Sequence, residues 1–543
     1  MMQVVGASPL STPALASEVT HRGVCHDPAV GPDRLAATSG LVAALAALAL
    51  AIAPAAGAAF EPGAESAHDP IYPQVGNGGY DVLHYAIELD YDPASNRLGA
   101  GTRTTITARA TQDLSRFSLD FQRELELDSV TVDGVPAARA ARRDARPRLS
   151  RDPAVTQPAK LTVTPAAGIE RGASFTVAVA YRGRPEPIVD PDGSSEGWLR
   201  ACSAPGDCDG SYTVNEPIGA QSWFPCNNHP SDKASFELAT TAPSAYTAIG
   251  AGARVSRVDN GDGTATTTWR EDAPMAPYLA TGTVGRFDVE TGAMTDRTGG
   301  ATIATFTAID SAGAPARKEE ARRAAGRIPA LVNFLSRRLG PYPFGTVGVV
   351  ADWVPSVGYV LENQTKPHFP GTRKGPYVGS STLAHELAHQ WMGDSISPAR
   401  WSAIWFNEGW ATLMEVTLDH AEGARQTPRR YFRTVYRSAP RRWRIAPARL
   451  DGDPRQLFNS FVVYNRPGAM LQGLRMILGN DRFRALARDL ADRYAGGNID
   501  RPGFLAATKR ASGLRGRKLR RLGDYVRQWL LWERRPRLTP ADF

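Results

Sequence analysis

Two histidines four residues apart, and a glutamate separated from the second by eighteen residues, constrain this chain more than any other feature. In TLAHELAHQWMGD, Thr382 to Asp394, His385 and His389 flank Glu386, and the later stretch WFNEGWATLME carries Glu408. On a helix, side chains four apart share a face, so both imidazoles address one point. Glu386 lies one step around and can reach a water held at that point without being a ligand. A second helix over Asn407–His420, antiparallel to the first across DSISPARWSAI, would set Glu408 beside the histidines. A fold for this chain must then bring these two helices face to face. His-Glu-x-x-His arises by chance in a chain this long roughly once in a hundred. The helical glutamate at that distance, inside an Asn-Glu-Gly context, makes chance a poor account. Two imidazoles, one carboxylate and an open position suit tetrahedral Zn²⁺, one ion per chain.

The hydrophobic period changes along the chain. YDVLHYAIELDYD and TRTTITARAT alternate apolar and polar residues, and FSLDF, LDSVTVDG, LTVTP, SFTVAVAYRG and VGRFDVETG continue the pattern. Asp-Gly within DNGDGT predicts a hairpin turn. From APARKEEARRAAGRIPALVNFLSRRLGPYPF onward the pattern is helical, and that segment reads as one helix stopped by Gly340 and Pro341. GAMLQGLRMIL, FRALARDLADRYA, FLAATKRAS and LGDYVRQWLLWE carry further helical apolar faces. With 543 residues the chain is too long for one compact core. The expected organisation is residues 1–59 as a secretory signal with a long leading stretch, 60–79 as a linker, 80–290 as an all-β domain and 291–543 as a mainly helical domain.

Leu41–Ala53, LVAALAALALAIA, is apolar for 13 residues, short for a bilayer span, with Arg22 and Arg34 before it and small residues after it. That order predicts export through cleavage near Ala58 or Ala59, to the cell envelope or outside, with no stable membrane association unless the segment is retained. An oxidising compartment would permit a disulfide between Cys202 and Cys208 and leaves Cys226 as a buried apolar group. The net charge is +8, its excess arginines concentrated in the last third. No nucleic-acid motif accompanies them, so they read as a solvated helical surface and nucleic acid is not an expected partner.

HELAHQWMGD…WFNEGWA resembles the zinc region of the aminopeptidase N family of gluzincin metallopeptidases. The resemblance implies His385, His389 and Glu408 as zinc ligands and Glu386 as general base. GYVLENQT resembles the family's exopeptidase segment at its Glu-Asn end, which implies substrate-binding roles for Glu362 and Asn363; Tyr359 stands where the family usually has glycine. NEPIGAQSWFPCNNHPSDKASF resembles the segment whose acidic or amide group helps hold the substrate amine, here Glu216. Asn228 replaces a family aspartate there, a change expected to concern loop structure. VVYNRPGAMLQGLR resembles the segment that provides a catalytic tyrosine, here Tyr464, with Arg466 and Pro467 behind it. The implied fold is a saddle-like β-sandwich followed by an α+β, thermolysin-like, mainly helical catalytic domain. The implied activity is zinc-dependent removal of the N-terminal residue from peptides with a free N-terminus. Many relatives carry a further helical domain over the site; the sequence ends about 80 residues past Tyr464, which implies a two-domain form with a more open cleft.

A thermolysin-like zinc endopeptidase shares the two zinc helices, but Glu362 and Glu216 argue for an anchored ammonium instead. A non-catalytic peptide-binding former peptidase would have lost Glu386, a ligand or Tyr464, and none is lost. Epoxide hydrolysis is a side activity in the family, and no residue here demands it. Trp391, Trp405 and Trp410 read as packing residues, and His229, His368 and His420 as structural or exposed.

Overall fold

The structure, a computed structural model, describes residues 59–204, 207–371 and 378–543. The apolar segment Leu41–Ala53 therefore lies outside the described residues. No helix among the described residues is long and apolar enough to cross a membrane.

The first half is β-rich. Its largest sheet has nine strands built around Tyr80–Asp92, which pairs antiparallel with Arg103–Ala110 on one side and parallel with Ala234–Pro243 on the other. Alternation in Tyr80–Asp92 buries Tyr85, Ile87, Leu89 and Tyr91, while Val82 is buried out of phase. The register shift between Val82 and His84 accounts for this, because a one-residue bulge moves the following side chains to the other face. A four-stranded sheet carrying Leu114–Asp120 and Ala159–Thr164 shares a core with the large sheet through Phe117, Leu119, Leu161 and Val163. The NGDG stretch closes the hairpin between Ala253–Asp259 and Thr264–Met275, as its Asp-Gly predicts. A five-stranded sheet contains the hairpin Ser195–Ala204/Asp207–Val214, bridged by the Cys202–Cys208 disulfide. Cys226 is free and buried.

The strand expected over Val284–Gly292 is two strands. Gly282–Gly285 stays in the five-stranded sheet, and Phe287–Thr295 opens a four-stranded sheet with Thr302–Asp310, Thr346–Trp353 and His368–Gly371. The single helix expected before Gly340 is also two, α1 (Pro315–Ala325) and α2 (Ile328–Leu339). Pro329 lacks an N–H and is tolerated in a helix only in its first turn, so a new helix starts here after Gly326. There follow α3 (Ser380–His389), α4 (Trp405–Ala421), α5 (Pro428–Tyr436), α6 (Arg466–Leu478), α7 (Asn480–Tyr494), α8 (Arg501–Ser512) and α9 (Gly516–Leu531). The helical half has its own large core, in which Leu383, Leu387, Trp410, Leu413, Leu471 and Trp529 are buried.

A buried ion pair fastens the lead segment of the β half. Lys160 Nζ donates to Asp120 Oδ1 at 2.6 Å, Gly76 O at 2.8 Å and Asn77 Oδ1 at 3.0 Å. Asp120 Oδ2 accepts from Gly76 N, Asn77 Nδ2 and Asn228 N. Asn228 Nδ2 in turn donates to Ile218 O at 2.7 Å, so Asn228 shapes the loop that carries Glu216. Replacing one member of a buried pair strands the other charge. Lys160→Met is expected to lower stability by roughly 3–5 kcal/mol; a urea midpoint corresponding to less than about 1 kcal/mol of loss would contradict this account.

Candidate active site

Helix α3 turns Leu383, Ala384, Leu387 and Ala388 into the core, which leaves His385, Glu386 and His389 facing the cleft. The helix ends at His389. Met392 leaves helical geometry (φ −116°, ψ 75°), and Gly393 (φ 156°) passes so close to α3 and α4 that a Cβ would lie 3.1 Å from His389 Nδ1 and 3.3 Å from Asn407 Nδ2. The turn after α3 is held from the β half: Lys233 Nζ donates to Asp394 O at 2.7 Å and Ser395 O at 3.0 Å. Trp401 N donates to Asp69 Oδ2 at 2.7 Å before α4 begins.

Glu408 stands in the first turn of α4, where the helix dipole favours a carboxylate. Its Oε2 lies 3.1 Å from His385 Nε2 and 3.5 Å from His389 Nε2. The outer ring nitrogens are also engaged: His385 Nδ1 donates to Glu415 Oε2 at 3.1 Å, and His389 Nδ1 to Met392 O at 3.4 Å. With both protons on Nδ1, the two Nε2 lone pairs and the Glu408 carboxylate all point at one another. One atom from each of these three residues falls within 4.8 Å of the others. Donor atoms of this kind meeting in a buried space are satisfied by a proton or a metal cation between them, and the set fits a divalent metal.

The surrounding charge has the same sign. Glu386 and Glu362 each offer a carboxylate oxygen within 4.8 Å of the His389 ring nitrogen. Burial, opposed by His385 and His389, holds the Glu386 carboxyl up at about 7. Burial raises Glu362, against His389 and with Glu408. Burial followed by the charges of Glu362 and Glu408 pushes Glu216 well above the ordinary carboxylate range. Glu216 Oε1 and Glu362 Oε1 are buried without a hydrogen-bond partner among the described residues. Although burial opposes it, His389 is lifted to about 9 by Glu362 and Glu408.

Asn363 Nδ2 donates to Ala280 O at 3.1 Å, Thr281 Oγ1 at 3.2 Å and Thr213 O at 3.3 Å, which ties the Glu362 segment to the β half. From the other side, Gln390 Nε2 donates to Glu362 O at 3.1 Å and Gln390 Oε1 accepts from Thr365 N at 2.7 Å. Tyr359 packs among Leu199, Tyr212, Val214 and Val354, and its hydroxyl donates to Ser195 O at 3.0 Å. The Tyr464 ring lies near-parallel to His385 at 6.1 Å between centroids, in the turn before α6. Burial and then Glu408 keep its phenol protonated well above the usual range. Its place depends on Gly409, where a Cβ would come 2.7 Å from Pro467 Cβ. Arg466 is wholly buried and donates to Trp532 O at 2.6 Å, Ile445 O at 3.0 Å and Gln528 O at 3.3 Å, so it anchors the end of α9.

Sequence reasoning passed over two acidic residues here. Glu415, on the His385 ring, follows Glu408 by seven residues, two turns along one helix face, and that spacing was available to read. Asp394 has both oxygens buried and unpartnered among the described residues, and burial followed by Glu362 raises its carboxyl well above normal. Trp391 packs as expected, donating to Pro341 O and Gly340 O. His368 is structural, lowered to about 3 by burial.

Residues 378–529 match the Peptidase family M1 domain and residues 82–279 the Peptidase M1 N-terminal domain. Leucine aminopeptidase 2 of Aspergillus fumigatus is 25% identical over 312 residues, 53% of this chain and 46% of that protein. Glutamyl aminopeptidase of Homo sapiens is 26% identical over 235 residues, 39% of this chain and 22% of that protein. The chain spans less than half the length of these relatives. An M1 zinc metallopeptidase from Deinococcus radiodurans has the same fold, with a TM-score of 0.71 at 24% identity over 87% of this chain and 98% of its own. A variant of it bound to a Tyr-Ser-Ala substrate superposes with a TM-score of 0.70, again at 24% identity, over 86% of this chain and 97% of that one.

The contact of Glu415 with His385 Nδ1 generates a test. Losing such an orienting carboxylate weakens metal binding by about 10–100-fold. Glu415→Ala should therefore raise the Kd for Zn²⁺ by that factor in chelator competition, with the circular dichroism spectrum unchanged; equal affinity would remove Glu415 from the site.

Proposed function

The chain belongs to peptidase family M1, and we propose from that membership and from its buried carboxylates that it is a zinc-dependent aminopeptidase. The observation that carries this reading is the pair Glu216 and Glu362, each with an unpartnered buried oxygen, Glu362 within reach of His389 and Glu216 close enough to feel the charges of Glu362 and Glu408. A buried carboxylate without a partner is costly, and a substrate α-ammonium would offset that cost. A blocked N-terminus or an internal peptide bond brings no such charge, so peptides with a free N-terminus would be favoured.

His385, His389 and Glu408 would hold Zn²⁺. When bound, the ion acts as a Lewis acid and lowers the pKa of a coordinated water from about 15.7 to about 7. Glu386, facing the cleft from α3 with the two imidazoles, takes the proton of the attacking water and delivers it to the departing amine nitrogen. Tyr464, kept as a phenol, donates to the developing oxyanion, a contact typically worth roughly 3 kcal/mol. Asn363 and Gln390 set the height of Glu362 by fixing its backbone.

Glu386→Gln should lower kcat by about 10²–10⁴-fold with stoichiometric zinc retained. Glu362→Ala should raise KM for a free aminoacyl fluorogenic substrate far more than for its N-acetyl counterpart. Faster cleavage of the blocked substrate by the parent protein would favour an endopeptidase, and zinc binding with no turnover a peptide-binding module. A chelator should abolish activity, and added Zn²⁺ restore it.

Leu41–Ala53 supports export to the cell envelope or beyond, without stable membrane association once the segment is removed. N-terminal sequencing of the mature protein is expected to begin near Ala59 or Phe60; material beginning at Met1 would count against cleavage.

A further inference from the structure

The side of α4 turned away from the imidazoles carries an arrangement that peptide hydrolysis leaves unused. A cavity of about 410 Å³ lies among α2, α4, α6 and α7, and five guanidinium groups line it. Arg337 and Arg338 come from the last turn of α2, Arg475 from the last turn of α6, and Arg484 and Arg488 from α7. No carboxylate is among the lining residues. Arg484 pairs with Asp481 at the rim. Arg475 Nε donates to Asn480 Oδ1 at 2.7 Å, and Arg338 Nη1 to Phe334 O at 2.7 Å with its guanidinium over the Phe334 ring. Arg337 and Arg488 make no ion pair among the described residues. The floor is apolar, formed by Met414 and by Trp410 against Phe483, with ring centroids 5.1 Å apart. An adjoining hollow of about 570 Å³ shares Arg338, Arg475 and Asn480 and adds Arg429 and His420.

Arginine in the last turn of a helix is ordinary, because the carbonyl end of the helix accepts a cation. That explains one charge per helix end; it does not explain cations from three helices converging on one concavity. Burial, then the neighbouring charges of Arg337, Arg475 and Arg484, press Arg338 down to about 10, and burial with Arg484 lowers Arg475. Repulsion falls on the half-buried Arg338 and Arg475, and an anion of several charges would relieve it while engaging the exposed Arg337, Arg484 and Arg488 at the mouth. The planar guanidinium matches phosphate oxygens two at a time, which favours phosphate over isolated carboxylates. The volume exceeds what one phosphate fills, since a water in the liquid takes about 30 Å³.

We propose that this cavity is a binding site for a small polyphosphate anion, gripped by Arg337, Arg338, Arg475, Arg484 and Arg488. Trp410 and Met414 face it from α4, the helix whose other side presents Glu408 and Glu415 to the imidazoles. The anion would therefore sit against the back of the helix that carries the third metal donor.

The test uses the zinc-loaded full chain, titrated calorimetrically with inorganic tripolyphosphate at constant ionic strength. Saturable one-site binding is expected. The exposed pair Arg337→Glu/Arg488→Glu should weaken it by at least about tenfold, or about 1.4 kcal/mol, while melting at the parent temperature without anion. Arg171→Glu, a charge reversal on the β half, should bind as the parent does and controls for net charge and for chelation of zinc. Absence of saturation, or the same loss in Arg171→Glu, overturns the proposal. A single-stranded oligonucleotide that binds more tightly than tripolyphosphate, and is lost in the same double variant, overturns it in favour of a nucleic-acid surface.

Discussion

Unbalanced negative charge in a dry space is the condition from which the rest of the centre follows. Glu362, Glu386 and Glu408 crowd around two imidazoles, with Glu216 and Asp394 near enough to feel those carboxylates, and all five acids are buried. Left to themselves they answer by taking up protons: the carboxyls of Glu216, Glu362 and Asp394 rise, and His389 climbs to about 9. Only Glu408, closest to both rings, is driven the other way, down to about 2. A pocket in this state is stabilised by imported positive charge, which under the proposed chemistry a divalent ion together with a substrate ammonium would supply.

Such crowding survives folding because the elements around it leave the acids no room to separate. Gly409 lets α6 touch the first turn of α4, and Gly393 lets the chain fold back onto both α3 and α4. Lys233 and Asp69 reach over from the β half to fix the connection between those helices. The loop with Glu216 is tied through Asn228 to Asp120. Each is a hydrogen-bonded or close-packed contact with few alternatives, and together they hold the acids against their own repulsion.

The sequence showed most clearly where period and spacing agreed. Tyr80–Asp92 alternates and is a strand over its whole predicted length, and the histidine pair lies on α3 with Glu408 opening α4. Thr346–Trp353, TVGVVADW, was not legible, because a strand buried on both faces shows no alternation and resembles a helical run. The break between α1 and α2 was hidden because one apolar stripe runs through both, and only Pro329 marks the new start. Asp394 gave no local signal at all, since its burial and the Lys233 ammonium that bonds its backbone carbonyl come from the fold, Lys233 lying 161 residues away. The arginines of α2, α6 and α7 read as solvated faces; their convergence depends on how the helices pack, which no linear pattern records.

Glu216 belongs to the β half, whereas the three metal donors belong to the helical half, and the backbone of Glu362 is pinned to both through Asn363 and Gln390. Under the proposed chemistry, the gap between the grip on the substrate's first nitrogen and the point of bond cleavage is measured across this seam. The seam thus acts as a gauge block: a small slip along it would change which peptide bond is presented while leaving both cores intact. A substitution at Asn363, Gln390 or Thr365 could in this way convert an enzyme that counts one residue into one that miscounts, without unfolding it.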